Sequence, residues 1–243
     1  KLLRTAFAGA ATVGITGCFS PIVSALALLD ERAPDGAIYL WAKSILTASG
    51  VESVAHGLEN LPVGNFVLCA NHQSNFDPLV LFAHIRRHLR YVAKAELLKV
   101  PVLGFALKRA GNIFVDRSGS ESDKAKLAEA VNAVRNRVSV VFFAEGTRSD
   151  DGILRSFKKG AAIMALEAQV PLVPVAIAGT HLILPKGSLA ILPRPAALMI
   201  GKPIETAGLS LDARESVTER AHAQVVQLLA EGNAIVDQMA TRF

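Results

Sequence analysis

A histidine and an aspartate lie five residues apart, directly after a short apolar run. They are His72 and Asp77, in the stretch CANHQSNFDPLVL. A carboxylate that bonds one imidazole nitrogen fixes the tautomer and stabilises the imidazolium, which leaves the other nitrogen to accept a proton. The pair is therefore a candidate general base. The alternative is that Asp77 only caps a helix that begins at Pro78, since aspartate followed by proline is a common helix start.

Two other apolar runs end in residues that could bind an anion. In GNIFVDR, Arg117 follows a strand-like run, and its planar guanidinium could bind a phosphate or form a surface ion pair with Asp116. FFAEGTRS combines a carboxylate, a glycine, two hydroxyls and a guanidinium, contributed by Glu145, Gly146, Thr147, Arg148 and Ser149. Amides and hydroxyls beside an arginine are typical of a phosphate site. The alternative is a polar loop that only joins two elements.

Strands and helices are predicted to alternate beyond residue 60. The predicted strands are 66–70, 90–94, 112–115, 139–144, 172–178 and 197–202, and the predicted helices are 78–88, 102–110, 121–136, 160–169 and 212–231. This alternation predicts an α/β fold with a mixed, largely parallel sheet flanked by helices. Such folds carry their chemistry on loops at strand ends, where all three polar stretches lie.

The N-terminal residues 1–50 are predicted to form membrane-associating helices, followed by an α/β domain at 51–243. No charged side chain occurs between Thr5 and Leu29, which as one helix would span about 37 Å. A secretory signal, a transmembrane helix and a bent or hairpin element in one leaflet all fit this run. The last is favoured because three glycines and Ser20-Pro21 weaken a straight helix.

An amphipathic helix is predicted next, at 37–50, and overall composition supports a surface in contact with lipid. Trp41 and Lys43 are residue types that favour a membrane boundary, although an ordinary core-packing helix would have the same pattern. Apolar residues make up 51% and charged residues 19% of the 243 residues. The net charge of +5 suits an anionic membrane or a phosphorylated substrate.

Other kinds of site have little support in the sequence. The two cysteines, Cys18 and Cys69, lie in apolar stretches, so neither a disulfide framework nor a cysteine metal cluster is expected. The sequence contains no G-x-S-x-G elbow, no Walker phosphate loop and no G-x-G-x-x-G. Hydrolase, nucleotidase and dinucleotide-binding functions therefore lack their usual motifs.

The residues between Gly57 and Gly179 resemble the glycerolipid acyltransferase family, and within it the bacterial 1-acylglycerol-3-phosphate acyltransferases. Four ordered blocks carry the resemblance: NHQSNFD, GNIFVDR, FAEGTRS and VPLVPVAIAG. Lys94, in KAELLKVPVLG, also matches a lysine-containing block of the family. Ala144 is a departure, since the family usually has proline before Glu-Gly-Thr-Arg-Ser, which puts the path of that turn in question.

The resemblance implies that the nucleophile belongs to the substrate. His72 would take the proton from the glycerol 2-hydroxyl, which attacks the thioester of acyl-CoA or acyl-carrier protein, while Asp77 supports the imidazole. Arg117, with Thr147, Arg148 and Ser149, would hold the phosphate of lysophosphatidic acid. Glu145 would brace the turn at Gly146 or bind a hydroxyl, and Lys94 would stabilise charge near the carbonyl oxygen. No metal or redox cofactor is required.

The expected setting is the cytoplasmic face of the inner membrane, with a monotopic or hairpin anchor. Lys1 and Arg4 favour a cytoplasmic N-terminus, and a single span would then place the α/β domain outside, away from thioester donors. The expected partners are the phospholipid surface and the two substrates, for a monomer that binds no nucleic acid. Two alternatives remain: another acceptor, such as glycerol-3-phosphate or a lyso-aminolipid, and a non-catalytic phospholipid-binding protein.

Overall fold

The computed structural model describes residues 2–99, 103–115, 121–149 and 151–241. Within these ranges the strands form a seven-stranded sheet in the order β1-β7-β6-β2-β5-β3-β4. The strands are β1 Ser53–His56, β2 Val67–Ala70, β3 Leu89–Lys94, β4 Ile113–Val115, β5 Ser139–Phe143, β6 Leu172–Ala178 and β7 Ala196–Ile200. Neighbouring strands are parallel except for β6 and β7, which are antiparallel. The predicted mixed, largely parallel sheet is thus confirmed.

Helices flank this sheet and connect its strands. They are α1 Leu2–Leu26, α2 Asp35–Ala48, α3 Asp77–His84, α4 Leu103–Arg109, α5 Glu121–Asn136, α6 Gly160–Ala168, α7 Thr180–Ile183 and α8 Arg214–Ala240. All six predicted strands form, whereas β1, whose residues are only partly buried, and the four-residue α7 were not predicted. α8 continues well past its predicted end at residue 231. Gly232 lies inside α8 where the helix packs closely on β6, so that an added Cβ would lie 3.0 Å from the Ala178 Cβ.

Both faces of the sheet are buried, and side chains alternate between two cores. Leu68 and Ala70 of β2 join the cluster under α1, α2 and α3, while Val67 and Cys69 join the cluster under α5 and α6. Near-continuous apolar runs are what strands covered on both sides require. Burial also raises the pKa of the Cys69 thiol to about 12, so this cysteine is an unreactive core residue.

The common direction of five strands determines where the site can form. β2, β3, β4, β5 and β6 all run parallel to one another, so their carboxyl ends meet at one side of the sheet, here called the carboxyl edge. The loops after β2, β5 and β6 leave from this edge. Residues far apart in sequence therefore come together there.

The N-terminal residues form a helical hairpin, but not the one that the sequence predicted. α1 is helical through Pro21 without a break, so the expected hairpin inside residues 5–29 is wrong. The hydroxyls of Ser20 and Ser24 donate to the carbonyls four residues earlier, at 2.7 Å each, and so stay within the helix. The hairpin forms instead between α1 and α2, where the Trp41 indole donates to the Thr16 hydroxyl at 3.1 Å. The residues Phe7–Leu26 are long and apolar enough to cross a membrane, judged by length and composition only.

α2 belongs to the same core as the sheet. Its residues Ala42 and Ile45 are fully buried in the cluster that contains β2 and α3. Asp35, at the start of α2, is bonded by the Arg90 guanidinium at 2.7 Å and by the His88 imidazole at 2.9 Å. The hairpin is thereby attached to the start of β3. The predicted domain boundary at residue 50 stays a prediction.

Candidate active site

The His72–Asp77 pair forms at the carboxyl edge, in the loop between β2 and α3. The Nδ1 atom of His72 lies 2.7 Å from Oδ2 of Asp77. Asp77 is fully buried, whereas the imidazole is 19% exposed. Among the described residues, Nε2 of His72 has no hydrogen-bond partner. The ring is therefore held through one nitrogen, and the other nitrogen remains available to a ligand.

The Asp77 carboxylate is saturated with donors. Oδ2 accepts the amides of Gln73 at 2.7 Å and Ser74 at 2.9 Å in addition to the imidazole, and Oδ1 accepts the Thr180 hydroxyl. These donors come from the loop before α3 and from α7. Asp77 is itself the first residue of α3 and makes no capping bond to that helix in the described chain. Its side chain serves the loop and the imidazole.

Aromatic rings form one wall of the site. Phe143, the last residue of β5, stacks on the His72 imidazole with centroids 4.1 Å apart and planes 18° apart. Tyr91 stacks behind Phe143 at 5.8 Å and donates its hydroxyl to the Pro78 carbonyl at 3.1 Å. Burial, with a smaller contribution from the Asp77 charge, raises the pKa of Tyr91 well above its usual value. This phenol therefore stays neutral, and the stack fixes the plane of the imidazole.

Glu145 joins the turn after β5 to the histidine loop. Its Oε1 accepts the His72 amide at 2.7 Å and its Oε2 accepts the Arg155 amide at 3.0 Å. Burial raises the pKa of Glu145, and the two amide bonds oppose that rise. The Ser149 amide donates in turn to the His72 carbonyl at 2.8 Å. Glu145 thus ties the His72 amide to the Arg155 backbone, while the Ser149 amide bonds the His72 carbonyl.

The departure at Ala144 has a structural consequence. The Ala144 amide donates to the Ala70 carbonyl at 2.9 Å, which continues the pairing of β5 with β2 by one residue. Proline at this position would lack that donor. The turn nevertheless begins directly afterwards, because Gly146 has a φ of +74° that favours glycine.

The remaining residues of the turn differ in exposure. Thr147 is exposed and Arg148 half-buried, while Ser149 is buried. The Ser149 hydroxyl has no hydrogen-bond partner within the described parts of the chain. The Lys158 side chain lies over Gly146, where an added Cβ would be 3.0 Å from the Lys158 Cε. A buried hydroxyl without a partner and nearby cations are features that suit an anionic ligand.

For two predicted site residues, Lys94 and Arg117, the structure does not describe the side chain. Lys94 is the last residue of β3, so its backbone lies at the carboxyl edge. β4 ends at Val115 on the same edge, and Arg117 falls outside the described residues. The roles predicted for both side chains stay predictions.

Several residues of the site were missed by the sequence prediction. The Asn71 side chain accepts the Ile177 amide at 2.8 Å and donates to the Ile177 carbonyl at 2.9 Å, which joins the ends of β2 and β6. Gln73 contacts His181 of α7, with Oε1 and Nδ1 3.2 Å apart, and Thr180 bonds Asp77. The only signal in the sequence was the Gly-Thr-His that follows the apolar block VPLVPVAIAG. Its relation to His72 depends on the order of strands in the sheet.

Residues 52–178, which include this whole edge, match the family model described as Acyltransferase. The chain belongs to the acyltransferase family. The matched range begins just before β1 and ends at the last residue of β6. Thr180, whose hydroxyl bonds Asp77, lies just outside the matched range.

Relatives within the acyltransferase family support this placement. The chain is 36% identical over 186 residues to the chloroplastic 1-acyl-sn-glycerol-3-phosphate acyltransferase BAT2 of Brassica napus, covering 74% of this chain and 54% of that protein. It is 34% identical to the chloroplastic LPAT1 of Arabidopsis thaliana, covering 67% of this chain and 47% of that protein. The chain therefore spans about half the length of these curated relatives.

A solved structure extends the similarity beyond the family range. The crystal structure of the 1-acyl-sn-glycerophosphate (LPA) acyltransferase PlsC from Thermotoga maritima matches with a TM-score of 0.78 and 28% identity. The match covers 93% of this chain and 95% of that chain. The acyltransferase fold seen here, including part of the N-terminal helices, is thus shared with that protein.

Proposed function

We propose that the chain is an O-acyltransferase that transfers a fatty acyl group to the 2-hydroxyl of 1-acylglycerol-3-phosphate, giving phosphatidic acid. The observation that carries the proposal is the bond between His72 Nδ1 and the buried Asp77, with Nε2 left unbonded among the described residues. Phospholipid binding alone would need no such base. The names of the relatives in Brassica napus and Arabidopsis thaliana support the choice of acceptor.

In this mechanism the enzyme is never acylated. Nε2 of His72 takes the proton as the 2-hydroxyl oxygen attacks the thioester carbonyl of acyl-CoA or acyl-carrier protein. The tetrahedral oxyanion collapses, the carbon–sulfur bond breaks, and the imidazolium returns its proton to the leaving thiolate. Asp77 stabilises the imidazolium between these steps. Holding both substrates in one site makes the attack effectively intramolecular. None of these steps needs a metal or redox cofactor.

The turn after β5 is the proposed phosphate site. Thr147, Arg148 and Ser149 would bind the phosphate oxygens, and Arg117 would add a second guanidinium from the end of β4. The buried Ser149 hydroxyl supports this assignment, because an unpaired buried polar group gains a partner when an anion binds. Glu145 is proposed to brace the turn at Gly146, and Lys94 to stabilise the developing oxyanion.

The protein is proposed to act as a monomer on the cytoplasmic face of the inner membrane, without a nucleic-acid partner. The apolar helix α1 supports membrane association. The thioester donors are cytoplasmic, so the carboxyl edge must face that side. A hairpin of α1 and α2 that lies in or on one leaflet would satisfy both requirements.

Replacing the proposed base should abolish turnover. We expect His72→Ala to lower kcat by about 10²–10⁴-fold, the usual contribution of general acid–base catalysis. Purified protein would be assayed with lysophosphatidic acid, glycerol-3-phosphate and lyso-aminolipids against one acyl-CoA. Lysophosphatidic acid should be the preferred acceptor.

His56→Ala is the matched control, because this histidine is exposed on the edge strand β1. Near-normal turnover in H72A, with H56A also normal, would contradict the proposed base. A stronger preference for another acceptor would replace the proposed substrate and leave the mechanism intact.

A further inference from the structure

Among the described residues, Thr180 is the one donor to the Asp77 carboxylate that comes from outside the histidine loop. It is the first residue of α7, is fully buried, and lies 103 residues from Asp77 in sequence. Its hydroxyl donates to Oδ1, whereas the imidazole and two loop amides all use Oδ2. Within the described chain, Oδ1 has no other donor.

This arrangement determines the orientation of the carboxylate. The terminal torsion of an aspartate is broad and nearly two-fold, so bonds to Oδ2 alone leave the plane of the group poorly defined. A donor on Oδ1 from a second element specifies that plane. The Ser74 hydroxyl adds a further connection, since it donates to the Leu184 carbonyl just after α7 at 3.0 Å. Loop and helix therefore hold Asp77 from opposite sides.

The donor on Oδ1 also acts on the charge of the carboxylate. A hydrogen bond to a carboxylate draws off part of its charge, and a carboxylate with less charge stabilises a neighbouring imidazolium less. Among the described residues, three other titratable groups interact with the pair: Tyr91 on β3, Glu145 after β5 and His181 on α7, and His181 also faces Asp151. These groups are unchanged when only the Thr180 hydroxyl is removed.

We propose that Thr180 is a positioning residue for the His72–Asp77 pair, which it serves by holding the Asp77 carboxylate in plane and moderating its charge. The inference rests on the proposed function of that pair. Thr180 touches neither substrate in this role, so its removal should change turnover and not substrate binding.

Thr180→Val and Thr180→Ser form the test, because valine keeps the shape and loses the hydroxyl, whereas serine keeps the hydroxyl. We expect T180V to lower kcat about 10-fold, which corresponds to one lost hydrogen bond to a charged group. KM for both substrates should stay within about two-fold, since no substrate contact is lost. The pH profile of kcat/KM should also change in T180V, because the Asp77 carboxylate next to the imidazole loses the donor to its Oδ1. T180S should restore kcat and the profile.

Thermal unfolding of each variant separates loss of folding from loss of positioning. If T180V does not fold, Thr180→Ala replaces it and is compared with T180S in the same way. A wild-type kcat and pH profile in the variant without a hydroxyl would overturn the inference, and so would a T180S as impaired as T180V. An active H72A would instead overturn the proposed function, whatever Thr180 does.

Discussion

At the scale of single residues, the site depends on two buried carboxylates, Asp77 and Glu145. Each of their oxygens accepts at least one hydrogen bond. Glu145 is the plainest case, since each of its oxygens accepts one backbone amide, from His72 and from Arg155. Burial disfavours its charged form, and the amides return only part of that cost, so the net effect is a raised pKa. Glu145 therefore orders the backbone around His72. Because its pKa is raised, its ionised form lowers the free energy of unfolding.

The raised pKa predicts a pH-dependent effect of Glu145→Gln. A carboxyl whose pKa is raised on folding contributes stability that is full below its unfolded pKa and is lost as pH rises through the folded pKa. Glutamine does not titrate, so E145Q lacks this loss. The free energy of unfolding of E145Q relative to wild type should therefore increase as pH rises above the usual pKa of a glutamate. Urea unfolding at several pH values would measure it.

Glu231→Gln is the control, because this carboxylate is exposed on α8. Its difference from wild type should show no comparable trend with pH. A difference between E145Q and wild type that is constant, or that falls as pH rises, would contradict the raised pKa.

At the scale of elements, short α7 and the turn before it complete the site. Gly179 has a φ of +83°, and an added Cβ would lie 2.6 Å from the Pro195 backbone oxygen. That contact is with backbone and is closer than real Cβ atoms come. Gly179 thus turns the chain from β6 into α7, so that the next residue reaches Asp77.

Gly179→Ala should destabilise the protein and displace α7. We expect a loss of about 3 kcal/mol in the free energy of unfolding, from positive-φ strain plus the backbone clash. Gly208→Ala is the matched control, since Gly208 has a φ of +77° but nothing within 4 Å of an added Cβ. Its loss should be only about 1 kcal/mol, from strain alone. Denaturant unfolding would measure the free energy of unfolding of both variants. Equal decreases would show that the contact between an added Cβ and the Pro195 oxygen does not matter.

At the scale of the whole molecule, the two faces of the sheet differ in what covers them. α5, α6 and α8 cover one face, and α1, α2 and α3 cover the other. α1 presents large apolar side chains outward, with Phe7 65% and Val13 74% exposed. Large exposed apolar side chains on a helix long enough to span a bilayer support the proposed membrane association.

Charges at exposed apolar positions of α1 should weaken membrane association. We expect the double variant Phe7→Glu and Val13→Glu to move from the membrane fraction to the soluble fraction, because each glutamate must leave the bilayer interior. Val226→Glu is the control, since Val226 is 48% exposed on α8, which covers the opposite face.

In right-side-out vesicles, the wild-type α/β residues should resist external protease. Unchanged sedimentation of the double variant, or external digestion of wild type, would contradict the proposed membrane placement.

The sequence by itself determined the elements and the nature of the site. Apolar runs buried on both faces predict strands without knowledge of their neighbours, so all six predicted strands form within two residues of their expected ends. The pairing of His72 with Asp77 was also predictable, because both belong to one short loop whose reach is local. Edge strand β1 escaped prediction since its residues are only partly buried and its pattern is weak.

Only the tertiary structure decided which distant residues complete that site. Glu145 lies 73 residues from His72 and Thr180 lies 103 residues from Asp77, and each is brought to the loop by the position of β2 between β5 and β6. Strand order depends on the free energy of the whole sheet, which no local pattern encodes. The continuous α1 was decided in the same way: proline weakens a helix locally, but α1 packs against α2, where the Trp41 indole donates to the Thr16 hydroxyl.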